Sequence, residues 1–128
     1  MDYERLLKLI RGEGEKLGLE MHTGYLGDVE APGRKPQVHL YGKKEVSIRN
    51  RKPQKTYVAG IIQQKGFVGF YAMPIYSHPQ KFTLSPALQK AQKGKSCFHI
   101  KRLDDTTEKE LRELLLKGVE LYRTEGWI

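Results

Sequence analysis

Residues 56–73, TYVAGIIQQKGFVGFYAM, decide the fold. Two runs rich in β-branched and aromatic residues flank Gln64-Lys65-Gly66, the short polar, glycine-bearing link that joins antiparallel strands. In the second run Phe67, Gly69, Tyr71 and Met73 fall on one face, and Val68, Phe70 and Ala72 on the other. Both faces are apolar, which describes a central strand covered at least in part on each side. Four residues of FVGFYAMPIY (67–76) are aromatic, too many to assign to a ligand wall when burial is their commonest role. Tyr71 and Tyr76 are set apart because a buried tyrosine hydroxyl needs a partner, so both are candidate pocket residues.

Working outward, strands precede this hairpin. Val38 and Leu40 alternate with His39 and Tyr41, and Val46 and Ile48 with Ser47 and Arg49, so two strands joined at Gly42-Lys43-Lys44 are expected. NRKPQK (50–55) then forms a basic loop broken at Pro53. After the hairpin, Pro74, Pro79 and Pro86 punctuate a connection. A helix is expected over Pro86–Lys93, closed by Gly94. In SCFHIKRL (96–103) Phe98 and Ile100 share one strand face, and Cys97, His99 and Lys101 the other.

Helices bracket the strands. Tyr3, Leu6, Leu7, Ile10, Gly14 and Leu17 recur at helical spacing, weakened by Gly12 and Gly14 and ended by Gly18. A short strand near Leu19–His22 and a loop containing Gly24, Gly27, Pro32, Gly33 and Pro36 follow. At the other end Leu111, Leu114, Leu115, Gly118, Val119 and Tyr122 form an apolar stripe. Thr107 with Glu110 reads as its capping box, and Gly126 as its stop. The order predicts one α+β domain over residues 1–128. An antiparallel sheet of about five or six strands packs against N- and C-terminal helices. Such a sheet can leave its second face in water, where Arg49 and Lys101 would project.

One cysteine excludes an internal disulfide, and no apolar run approaches a membrane span, so a cytoplasmic protein without membrane contact is expected. The charged N-terminal stretch is not a secretory signal. The formal charge of +8 is unevenly placed: residues 34–103 hold 15 basic side chains against Glu45 alone, net +14, while the segments on either side are each net −3. Charge asymmetry of this kind bears on partners rather than on fold. Arg49, Arg51, Lys52 and Lys55 cluster around one loop, with Lys101 on a nearby strand and Tyr57 and Tyr71 close in the sheet. Cations interleaved with rings suit nucleic acid, since the cations meet phosphates and the rings stack on bases. The same pattern fits a small anion, or a solvated face that aids solubility.

Other chemistry is less supported by the residues. Cys97 and His99 share a strand face, as a nucleophile and base or two metal ligands would, but an ordinary strand with a half-exposed thiol and imidazole satisfies the spacing equally. Gly94-Lys95-Ser96 matches only the tail of a phosphate-binding loop, and a strand follows where a helix is required. No nucleophile elbow is present. No catalytic residue, metal ligand or cofactor is therefore assigned. Tyr57, Tyr71, Tyr76, Cys97 and His99 stand as the candidate small-molecule pocket of a binding protein or enzyme. An exposed sheet edge would serve a homodimer.

The hairpin GIIQQKGFVGFYAMPIY (60–76), the segment ending in GKSCFHIK (94–101) and the closing helix through LYRTEGW (121–127) resemble the YdhG-like domain family. The resemblance covers roughly residues 40–128. It implies a compact α+β sandwich of a family first defined without a function. Some members of that family are described as frataxin-like intracellular iron chaperones. Iron sites of that type use clustered carboxylates, because hard iron favours oxygen ligands. Here Asp2, Glu4, Glu13 and Glu15 are interspersed with Arg5, Lys8, Arg11 and Lys16, and residues 34–103 offer one acid, so the iron-carrying role is not carried over.

Overall fold

A computed structural model describes residues 2–26 and 35–128. In chain order it contains α1 (Asp2–Lys16), β1 (Glu20–His22), β2 (Gln37–Val46), β3 (Gln54–Gln64), β4 (Phe67–Ala72), α2 (Met73–Ser77), a single 3-10 turn (Pro79–Lys81), α3 (Pro86–Ala91), β5 (Gln92–Lys93), β6 (Cys97–Ile100) and α4 (Asp105–Glu125). Among the described residues the strands form one six-stranded sheet in the order β1-β2-β3-β4-β6-β5, every pair antiparallel. The fold is the α+β architecture expected, with the two terminal helices on one face.

The β3–β4 hairpin sets the register. Ile61 faces Phe70, and Phe70 faces Phe98, giving a buried row across three strands. Leu6, Leu9 and Ile10 of α1 and Leu111, Leu115 and Val119 of α4 close over this inner face. Arg5 ties the two helices together through Asp105 at 2.9 Å and Glu108 at 3.2 Å. α1 approaches β2 closely at Gly14, where a Cβ would lie 2.7 Å from a methyl of the buried Leu40, whereas Gly12 faces open space.

Several local expectations are corrected. Gly42-Lys43-Lys44 is not a turn: β2 runs through it as one bent strand, with register irregularities between Leu40 and Glu45. Gly42 is required by the Ile128 side chain, whose atoms would lie 2.3 Å from an added Cβ. The true turn follows, where Arg49 and Asn50 have φ of 53° and 63° and Arg51 N–H donates to Ile48 O at 3.0 Å. Two successive positive φ values match the right-handed twist of a hairpin. Met73 and Pro74 begin α2 rather than continuing β4 or entering a loop. The helix starting at Pro86 stops at Ala91, because Gln92 and Lys93 pair with Phe98 and Cys97 instead. α4 is capped by Asp104, whose carboxylate accepts Thr107 N–H at 2.7 Å, while Glu110 accepts from Ser85 Oγ. The shorter acid directly before the first helical residue displaces the proposed Thr107–Glu110 box. The part of the expected loop carrying Gly27, Pro32 and Gly33 lies outside the described residues.

The two glycines of α1 should respond oppositely to alanine. Gly12→Ala should raise unfolding stability by about 0.5–1 kcal/mol, through helix propensity alone. Gly14→Ala should lower it by about 1 kcal/mol or more, because Leu40 is fully packed. Urea denaturation measures both, and an equal gain at the two positions would show that α1 does not press on β2.

Candidate functional site

The outer sheet face is a layer of rings and amides rather than a basic surface. Opposed residues place His22, His39, Gly60, Tyr71 and Cys97 in one cross-strand row, and Gln37, Ile62, Gly69 and His99 in the next. His39 is fully buried, its Nδ1 2.8 Å from the Tyr57 hydroxyl and its Nε2 2.8 Å from Gln37 Oε1. Tyr25 stacks on the same imidazole at 4.2 Å. Burial pushes the Tyr57 phenol well above its ordinary range, with neighbouring tyrosines adding to the rise, so it stays a hydrogen-bond donor.

Tyr71, Cys97 and His99 do share this face, as alternation requires. Burial raises the Cys97 thiol, and the Tyr71 hydroxyl bonded to it offsets only part of that. Cys97 is therefore a protonated thiol at neutral pH rather than an activated thiolate. His99 is stacked on Phe67 at 4.1 Å, and among the described residues no hydrogen bond joins it to Cys97. No three His, Cys, Asp or Glu side chains gather as a metal site among the described residues. No helix among them is long and apolar enough to cross a membrane.

Arg49, Arg51, Lys55 and Lys95 collect at one end of the sheet instead, while Lys101 follows Ile100 toward the other. A groove of about 740 Å³ opens at the first of these ends, between the β2–β3 arm on one side and α2 with the Lys95 turn on the other. Arg49, Arg51, Lys55, Tyr57 and Tyr76, all named from the sequence, line it together. Lys52 is exposed on the same arm but is not a lining residue, and Lys101 lies just past the end of β6. Tyr41, Met73, Ser77, Lys95, Tyr122 and Trp127 also line the groove and were not singled out for it.

Chain geometry explains their arrival. Gly126 ends α4 with φ of 78°, and Trp127 N–H reaches back to Tyr122 O at 2.9 Å. That left-handed stop turns the chain toward the sheet, where Thr56 Oγ1 donates to Trp127 O at 3.1 Å. The Trp127 ring then meets Tyr122 edge-on at 5.1 Å. Tyr76 is 57% exposed at the lip, with Lys95 Nζ 5.5 Å from its ring centre.

Charge in the groove is less uniform than the sequence implies. Lys55 Nζ contacts both oxygens of Glu20 at 2.9 Å, so its charge is already matched. Lys55, and then His22, hold the Glu20 carboxyl below its usual range. Arg49, Arg51 and Lys95 have no ion-pair partner among the described residues, and Glu45 is the sole acid among the lining residues. Three unmatched cations thus surround an aromatic wall. Arg49 holds its place with a backbone conformation that costs a non-glycine residue on the order of 1 kcal/mol.

No family model, curated protein or solved structure matches the chain.

The Glu20–Lys55 pair makes a pH prediction. A carboxylate with a lowered folded pKa adds stability above its unfolded value, and that contribution is lost as pH falls through the folded value. Glu20→Gln should therefore melt below wild type by a steady margin at neutral pH. The margin should close as pH drops below about 4, under the ordinary glutamate value. Thermal melts of both proteins between neutral and acid pH test this, and a margin unchanged at the acid end would contradict it.

Proposed function

We propose that this chain is a binding module whose groove receives a phosphate-bearing aromatic ligand, with single-stranded nucleic acid as the favoured partner. One observation carries the reading: Arg49, Arg51 and Lys95, unmatched by acids among the described residues, line one cavity with the rings of Tyr57, Tyr76 and Trp127. Cations supply phosphate contacts whatever the sequence, and rings supply stacking that every base can use. The volume of about 740 Å³ suits a ligand of nucleotide size. An exposed tyrosine at the lip offers a stacking platform without first being uncovered.

A small-molecule pocket around Tyr71, Cys97 and His99 is supported less well. Phe67 already occupies the face of His99, and the Tyr71 ring lies across Gly69, so this part of the sheet is filled by its own side chains.

Fluorescence anisotropy with short single-stranded DNA and RNA, competed by a mononucleotide, tests the proposal. Replacing Arg49, Arg51 and Lys95 together by alanine should weaken binding at least ~10-fold at low salt. It should also flatten the dependence of log K on log salt by about 2, at ~0.7 per lost single-strand contact. The control Lys52→Ala with Lys101→Ala removes charge outside the groove and should change affinity no more than about 2-fold. Equal losses in the two variants would mean that net charge alone attracts the strand. Competition by the mononucleotide would show that a single nucleotide unit fills the site.

A further inference from the structure

One hydrogen-bonded chain at the edge of the groove is unused by ligand binding. Ser77 closes α2, and its Oγ lies 2.9 Å from His78 Nδ1. The opposite ring nitrogen, Nε2, lies 3.1 Å from Glu125 Oε2 in the last turn of α4. Ser77 Oγ is also 3.0 Å from the Tyr122 hydroxyl.

The direction of each bond follows from the end group. A carboxylate only accepts, so Glu125 fixes the proton of a neutral His78 on Nε2 and leaves the lone pair on Nδ1. The bond between Ser77 and Nδ1 then has the hydroxyl as its donor. Tyr122 donates in turn to Ser77 Oγ, and burial pushes its phenol up to about 12, so it remains a donor. The carbonyls of Met73 and Pro74 are 3.4 Å from Ser77 Oγ, longer than its contact with the imidazole. A hydroxyl hydrogen-bonded to a base that is itself oriented by a carboxylate is the arrangement that activates a serine.

We infer that Ser77, His78 and Glu125 form a hydrolytic relay at the groove, acting on an acyl ester or thioester whose leaving alcohol or thiol carries phosphate. The phosphate requirement rests on the proposed reading of the groove, and the relay geometry stands independently of it. Ser77 Oγ attacks the carbonyl carbon as its proton passes to His78 Nδ1, and the carbonyl π electrons move onto oxygen. Lys95, a cation on the groove wall, is the donor available to that oxyanion, while the Tyr122 hydroxyl stays committed to Ser77 Oγ. Collapse breaks the bond to the leaving group, which takes the proton from Nδ1 and departs as the alcohol or thiol. Water then attacks the acyl-serine with Nδ1 as base, releasing a carboxylic acid and restoring the Ser77 hydroxyl. Glu125 holds the ring throughout and is a positioning residue.

Diisopropyl fluorophosphate, read by intact mass and peptide mapping, tests the relay directly. Wild type should gain one adduct, at Ser77 rather than Ser47, Ser85 or Ser96. Glu125→Gln keeps the side-chain shape, so it should retain the melting temperature while labelling about 100-fold more slowly, and p-nitrophenyl acetate hydrolysis should fall in parallel. Ser77→Ala should lose both adduct and hydrolysis. No adduct at Ser77, or equal labelling of the Glu125 variant, would overturn the relay even where oligonucleotide binding is intact. Labelling at Ser77 without any binding of oligonucleotide or mononucleotide would overturn the phosphate-bearing substrate class, through failure of the groove reading alone.

Discussion

The pairing of β3 with β4 is the constraint on which the other features depend. Its register, with Ile61 opposite Phe70 and Ala59 opposite Ala72, sends one row of side chains into the helix-covered core. A slip of one residue would exchange the two faces and expose Phe70. The same pairing brings the start of β3 and the end of β4 to one end of the sheet. Thr56 and Tyr57 therefore stand near the point where the chain leaves β4 and enters α2. The groove is a consequence of this hairpin, completed by the end of α4.

Electrostatics then divides the molecule. Acids are concentrated in the terminal segments that form α1 and α4, where Asp105, Glu108 and Glu13 find Arg5 and Arg112 as partners. The middle of the chain supplies cations with few acids to meet them. Glu20 matches Lys55, but among the described residues Arg49, Arg51 and Lys95 are left without an ion-pair partner beside rings that are partly desolvated. The left-handed Arg49 and Asn50 belong to the same arrangement, because the tight turn they form carries Arg49 and Arg51 at the groove.

Much of this was legible in the chain. Alternation in β3 and β4, the glycine turn between them and the apolar stripes of α1 and α4 gave the fold class and the layering. Arg49, Arg51, Lys55 and Tyr57 were readable as candidates because loop charge and a strand aromatic lie close in sequence, and Tyr76 only as a tyrosine of the aromatic run, assigned to a separate pocket. α2 was missed although Pro74 offered the same helix-start signal that located α3 at Pro86. Its five residues follow an apolar strand without a polar break, so periodicity gave no boundary. Gly42 read as a turn because its actual reason, the Ile128 side chain, lies 86 positions away. Tyr122 read as part of the helix stripe and Trp127 was not singled out, since only the folded topology brings them to Ser77 and Thr56. Proximity of Ser77 to His78 was visible, but Glu125 and Tyr122 reach them only through the packing of α2 on α4.

Trp127 is the sole tryptophan and forms part of the groove wall, so its emission reports on occupancy without a label. Titrating the protein with a short single-stranded oligonucleotide while following that emission tests the central claim most directly. The account predicts saturable quenching as bases approach the rings, at a midpoint that rises steeply with salt. Binding detected by anisotropy with Trp127 emission unchanged would place the strand elsewhere on the basic surface and contradict the assignment of the groove.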